Sequence, residues 1–116
     1  MNKTYLSAYN IRTSQEWCQY WLKRFQNHLS KSQISEHNAI AYQQVVSKYL
    51  AENPGSPYSI SLPTVDSFTN TDSVNRLNAL DMFYTSVCNS SRHFNFIRTK
   101  LNNIIADTVK LVRATP

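Results

Sequence analysis

The residues best suited to chemistry in this sequence are uncharged polar and basic side chains on predicted helices. They form two bands, one on a helix predicted over residues 36–52 and one near the start of a helix predicted over 73–88: Gln43, Gln44, Ser47 and Lys48, then Asn75 and Arg76. Asn, Gln and Arg hydrogen-bond the edges of DNA bases, and Lys and Ser reach phosphate oxygens. The bands therefore predict a DNA-facing surface. The alternative interpretation is a face that is merely solvated.

Three further cations on the first predicted helix extend this surface. Lys23, Arg24 and Lys31 are expected to contact phosphates or to attract DNA from a distance. Arg76 has the geometry to bond a guanine through two hydrogen bonds. The chain carries 12 Lys and Arg against 7 Asp and Glu, for a net charge of +5, which suits a polyanionic partner. A basic surface kept for solubility would give the same charge.

Catalytic and metal-binding patterns are missing from the sequence. His28, His37 and His93 stand in no catalytic or ligating motif, so each is interpreted as a surface or partly packed residue. The seven carboxylates are scattered singly, and two cysteines without metal-site spacing predict no metal centre. Gly55 is the only glycine, which excludes a P-loop and a dinucleotide-binding fingerprint. We expect no catalytic residue, no cofactor and no small-molecule substrate.

Hydrophobic spacing predicts the elements that carry these residues. Apolar residues recur every three or four positions, which is typical of helices that bury one face. Helices are predicted over 14–30, 36–52, a short stretch capped by Ser61 with Pro63 in its first turn, 73–88 and 94–106, with Ser35 as a further N-cap. A common core is expected from Trp17, Trp21, Phe25, Tyr42, Val46, Leu77, Leu80 and Tyr84. The predicted class is an all-α bundle of four or five helices without a sheet.

The chain divides into three predicted parts. Residues 1–13 form an N-terminal arm, residues 14–106 a helical domain, and residues 107–116 a linker toward a domain that would follow. Within the linker, the β-branched run from Thr108 to Val112 is either a helical continuation or an extended segment. No signal peptide and no membrane-length apolar run is recognisable, so a reducing cytoplasm is the expected compartment.

The order of these elements resembles the N-terminal core-binding domain of tyrosine recombinases, the phage integrase family. Ser35 to Leu50 is similar to the family's second helix, and Leu77 to Tyr84 is similar to its "lsaLrxfy" helix. The tail from Asn102 to Lys110 resembles the stretch that leads into the family's catalytic domain. Departures occur near Ala39, where the family has threonine, and at Asn103, where it has proline.

The resemblance implies a SAM-like helical bundle that binds double-stranded DNA. In that family two helices of the small domain enter the major groove. The resemblance would place there the second and fourth predicted helices, over 36–52 and 73–88. The catalytic domain and other protomers on the DNA would be partners, and the catalytic residues would lie in that other domain. The competing hypothesis is a helical protein–protein adaptor, because SAM-like bundles also associate with one another. A steep loss of affinity with salt distinguishes DNA binding from apolar association.

Overall fold

The structure, a computed structural model, describes residues 14–70 and 74–114, with side chains described for 16–70 and 74–107. Within these ranges every regular element is a helix and no strand occurs, which confirms the predicted all-α class. In chain order they are α1 (Ser14–Lys31), α2 (Glu36–Glu52), a 3₁₀ turn (Pro57–Ser59), α3 (Leu62–Thr69), α4 (Val74–Met82), a π turn (Phe83–Val87) that continues α4, and α5 (Ser91–Ala114). The predicted arm, residues 1–13, lies outside the described residues.

Two helices begin at the serine caps that the sequence predicts. The Ser35 hydroxyl accepts a hydrogen bond from the Asn38 backbone N–H at 3.1 Å. The Ser61 hydroxyl accepts one from the Thr64 N–H at 3.3 Å, with Pro63 in the first turn of α3. Each cap satisfies a backbone donor that the helix itself leaves without a partner. The bounds of α2 are therefore those expected from the sequence.

The core lies where α1, α2, α4 and α5 pack against one another. Six of the eight predicted core residues are buried, and Trp17 and Tyr42 are partly buried against them. Aromatic rings meet mainly edge to face, as between Phe25 and Phe83, whose centroids lie 5.9 Å apart. This arrangement confirms the predicted common core.

The packing of α4 departs from the stripe that its spacing predicts. Helical spacing from Leu77 and Leu80 predicts Val74 inside and Ala79 on the far side. Val74 is instead 44% exposed, and Ala79 is fully buried. The helix then widens into the π turn, in which the Cys88 N–H donates to the Phe83 carbonyl at 3.0 Å. One extra residue per turn shifts the register, so Phe83 and Tyr84 are both buried and Cys88 follows Val87 into the core.

His93 is buried, and the prediction that it is a surface or partly packed residue is wrong. Its Nε2 lies 2.7 Å from the Ile60 carbonyl oxygen and its Nδ1 lies 2.6 Å from the Ser90 hydroxyl. Because a carbonyl only accepts, Nε2 carries the hydrogen. The ring also stacks on Tyr84, with centroids 4.2 Å apart. These partners explain why a histidine is tolerated in the core.

The last helix is longer than the sequence predicts. It begins at Ser91 rather than near residue 94 and continues to Ala114, so the run from Thr108 to Val112 is helical and not extended. The described part of the predicted linker, residues 107–114, is thus part of α5. Residues 102–107 are all exposed, which shows that the bundle does not cover this part of α5.

Candidate nucleic-acid interface

The predicted band on α2 lies along a shallow groove between α2 and α1. The groove is lined by Leu22 of α1 and by residues of α2: Ile40, Gln43, Gln44, Ser47, Lys48 and Ala51. Gln44 and Lys48 are exposed, whereas Gln43 and Ser47 are half-buried. The Gln26 side-chain amide of α1 donates to the Gln43 side-chain oxygen at 3.4 Å. The band is therefore a real surface feature, but its floor is apolar and one of its amides already contacts α1.

Arg76 is held by the fold rather than extended into solvent. Its Nη1 donates to the Phe68 carbonyl oxygen at 2.8 Å, and its guanidinium lies 4.5 Å from the centre of the Phe68 ring. A hydrogen bond and a cation–π contact together fix the side chain against α3. The predicted guanine contact would require the guanidinium to leave both positions. Asn75, its neighbour, is exposed.

The two predicted bands line different grooves. The groove at Arg76 is formed by the end of α2 with α3 and includes Glu52, Asn53, Thr64 and Ser67. Glu52 brings a carboxylate to this groove, and a carboxylate repels phosphate. By contrast, the groove of Gln44 and Lys48 contains no carboxylate among the side chains that line it. The α2 band is consequently the better of the two for approaching DNA.

The cations of α1 are distributed over two sides of the helix. Leu22 and Gln26 face α2, whereas Arg24 and Lys31 line a groove on the flank that faces the π turn. Positions 22 and 24 differ by about 200° around a helix of 3.6 residues per turn, which places them on opposite flanks. The three α1 cations and the α2 band thus do not form the single surface that the sequence predicts.

Among the described side chains, some cations form ion pairs with carboxylates and others do not. Arg98 pairs with Asp81 at 3.1 Å and Lys100 pairs with Asp66 at 2.7 Å, each joining α5 to another helix. Five exposed cations make no ion pair with a described carboxylate: Lys23, Arg24, Lys31, Lys48 and Arg92. Arg24 lies over the Tyr20 and Trp21 rings, 5.6 Å from each centre, and its Nη1 donates to the Tyr20 hydroxyl at 3.3 Å. All of the five except Arg92 belong to the residues that the sequence assigns to DNA.

The largest pKa displacements fall on three buried groups, Cys88, Tyr49 and Tyr84. Burial raises the pKa of the Cys88 thiol to about 12, so it stays protonated at neutral pH and is a poor nucleophile. Burial also raises the pKa of Tyr49 and of Tyr84, whose hydroxyl oxygens lie 2.7 Å apart. Tyr84 donates onward to the Pro57 carbonyl at 2.9 Å. This chain of hydrogen bonds ties α2, α4 and the 3₁₀ turn together.

Some residues of the groove that Arg24 and Lys31 line escaped the sequence analysis. His28 lies four residues after Arg24 and three before Lys31, a helical spacing that the sequence displays. Ser86, on the opposite wall, had no such signal, because the π turn places it there.

The chain matches no protein-family model, no curated protein and no solved structure. No described group of three His, Cys, Asp or Glu residues could hold a metal ion. In the described part of the chain, none of the helices has the combination of length and apolar character that crossing a membrane requires.

Proposed function

We propose that this chain binds double-stranded DNA, as the core-binding domain of a site-specific tyrosine recombinase. The observation that carries the proposal is the group of exposed cations on α1 and α2 that make no ion pair with a described carboxylate. Neutralising phosphates releases counterions, which makes such cations a large source of DNA affinity. By contrast, Arg98 and Lys100, which join α5 to other helices, have carboxylate partners.

Within this proposal, the polar band of α2 contacts the bases. Gln44 and Lys48 are exposed on one side of α2, so an amide and a cation can approach a major groove together. Arg76 contacts Phe68 through a hydrogen bond and a cation–π contact, and binding a guanine would break both. The second and fourth helices are the ones that the family resemblance assigns to the groove.

The proposal also includes partners and a compartment. A catalytic domain and further protomers on the same DNA would complete the recombinase, and no catalytic step, cofactor or small-molecule substrate is assigned to this chain. A cytoplasmic location fits a DNA partner and the two cysteines, Cys18 and Cys88, which are both free thiols.

One observation favours the alternative of a protein–protein adaptor. Ile40 is 51% exposed and lies with Leu22 and Ala51 in the groove beside the α2 band. An exposed apolar residue in a groove suits burial against a partner protein more than contact with phosphate. Association of this kind would be insensitive to salt.

Fluorescence anisotropy with labelled duplexes tests the two functions directly. Under the DNA hypothesis, affinity falls steeply as salt rises, and Lys48→Gln lowers the slope of log K against log salt by about 0.9. Gln44→Ala should instead change the preference among duplex sequences with little change in slope. Salt-independent duplex binding, or none, together with concentration-dependent association that Ile40→Ser abolishes, would replace DNA binding with the adaptor function.

A further inference from the structure

A groove between α1 and the π turn is lined by five side chains that can donate hydrogen bonds. It is lined by Arg24, Asn27, His28, Lys31, Ser86 and Val87, of which only Val87 has no polar side chain. No carboxylate lines it. A guanidinium, an amide, an imidazole, an ammonium and a hydroxyl together match an oxygen-rich anion.

The charges around this groove decide whether it needs an anion. α1 ends at Lys31 and the π turn ends at Val87, so two helix C-termini lie at the groove. Each terminus carries about half a negative charge, roughly one in total. Arg24 and Lys31 supply two positive charges, and neither forms an ion pair with a described carboxylate. The groove therefore keeps about one net positive charge even when His28 is neutral.

From this geometry we infer that the groove binds one phosphate group of a DNA backbone, an inference that rests on the proposed function. Arg24 and Lys31 are seven residues apart, which is about 10 Å along a helix. That spacing lets the two cations approach one phosphate from both ends of the groove when the Arg24 guanidinium, an exposed group, turns from the Tyr20 hydroxyl to which it donates at 3.3 Å. Ser86 closes the opposite wall, so the contact joins α1 to the end of the α4 segment. Because the groove and the α2 band lie on opposite flanks of α1, this phosphate belongs to a different stretch of backbone from the one nearest Lys48.

The test compares groove variants with a charge-matched control in duplex-binding titrations. Arg24→Gln with Lys31→Gln should reduce affinity at least tenfold and lower the salt slope by about 0.9, one phosphate contact. Lys31→Gln alone, which leaves the Arg24 packing on Trp21 intact, should give part of the loss. The control is Arg92→Gln, since Arg92 is exposed and does not line the groove. It removes one unit of charge, as Lys31→Gln does, and should leave the slope unchanged.

A second arm uses inorganic phosphate as the probe, at constant ionic strength, with backbone amide shifts as the readout. Duplex binding with loss in the groove variants, and saturable phosphate shifts at residues 24–31 and 86, supports the inference. Duplex binding that the groove variants leave unchanged overturns the inference and leaves the proposed function standing. Phosphate shifts in the groove without duplex binding retain the anion site and refute the DNA function. The absence of both duplex binding and phosphate shifts refutes the inference and the proposed function together.

Discussion

Removing the Tyr84 hydroxyl should destabilise the fold more than removing its neighbour at Tyr49. The Tyr84 hydroxyl donates to the Pro57 carbonyl at 2.9 Å, so it accepts from the Tyr49 hydroxyl at 2.7 Å. Both rings are fully buried. Tyr84→Phe thus breaks two hydrogen bonds and leaves the Tyr49 hydroxyl without its partner. At about 1 kcal/mol for the bond to Pro57 and 1–3 kcal/mol for the stranded Tyr49 hydroxyl, the expected loss is about 2–4 kcal/mol.

Tyr49→Phe alone should cost only about 1 kcal/mol, because Tyr84 still donates to Pro57. In the double variant no hydroxyl is stranded, so its loss should fall short of the sum of the single losses by about 1 kcal/mol or more. Urea unfolding followed by tryptophan fluorescence measures all four proteins, and Tyr84→Phe should lower the midpoint by about 1–2 M. Additive losses, or a Tyr84→Phe loss below that of Tyr49→Phe, would refute this reasoning.

Three further predictions concern the core and the surface around it. Cys88 has a folded-state pKa of about 12 against an ordinary 9.0, so stability should hold below pH 9 and fall above it by about 1.4 kcal/mol per pH unit. The buried tyrosines, whose pKa values are also raised, add to the fall above pH 10. Cys88→Ala should remove most of the loss between pH 9 and 10 in urea titrations, and Cys18, whose pKa burial also raises, accounts for the remainder. Trp21→Ala should cost about 3–5 kcal/mol, but Trp21→Phe much less, because the buried Trp21 Nε1 has no hydrogen-bond acceptor among the described residues; equal losses for the two variants would contradict this. Arg76→Ala should lower stability by about 1–3 kcal/mol in thermal melts without DNA, through lost contacts with Phe68, and an unchanged melt would mean that those contacts are not made in solution.

The local elements could be predicted because each is encoded by neighbouring residues. The apolar spacing of α2 and its Ser35 cap lie within one stretch of chain, and both its bounds and its cap are confirmed. For α3, the predicted Ser61 cap is likewise confirmed. The polarity of Gln44 and Lys48 likewise follows from where the apolar face of α2 lies, so their exposure could be expected from the sequence.

The partners that side chains contact across the core could not be predicted from the sequence. Arg76 is predicted to point outward, but α3 places the Phe68 carbonyl and ring beside it. His93 reads as a surface residue until the chain before α3 brings the Ile60 carbonyl to its Nε2. The π turn, which places Ser86 opposite α1, has no local signature. A side chain's polarity and periodicity are local properties. Its hydrogen-bond partners and the walls of a groove come from residues distant in sequence, as Ser86 is from Arg24, and only the packing of the helices brings them together.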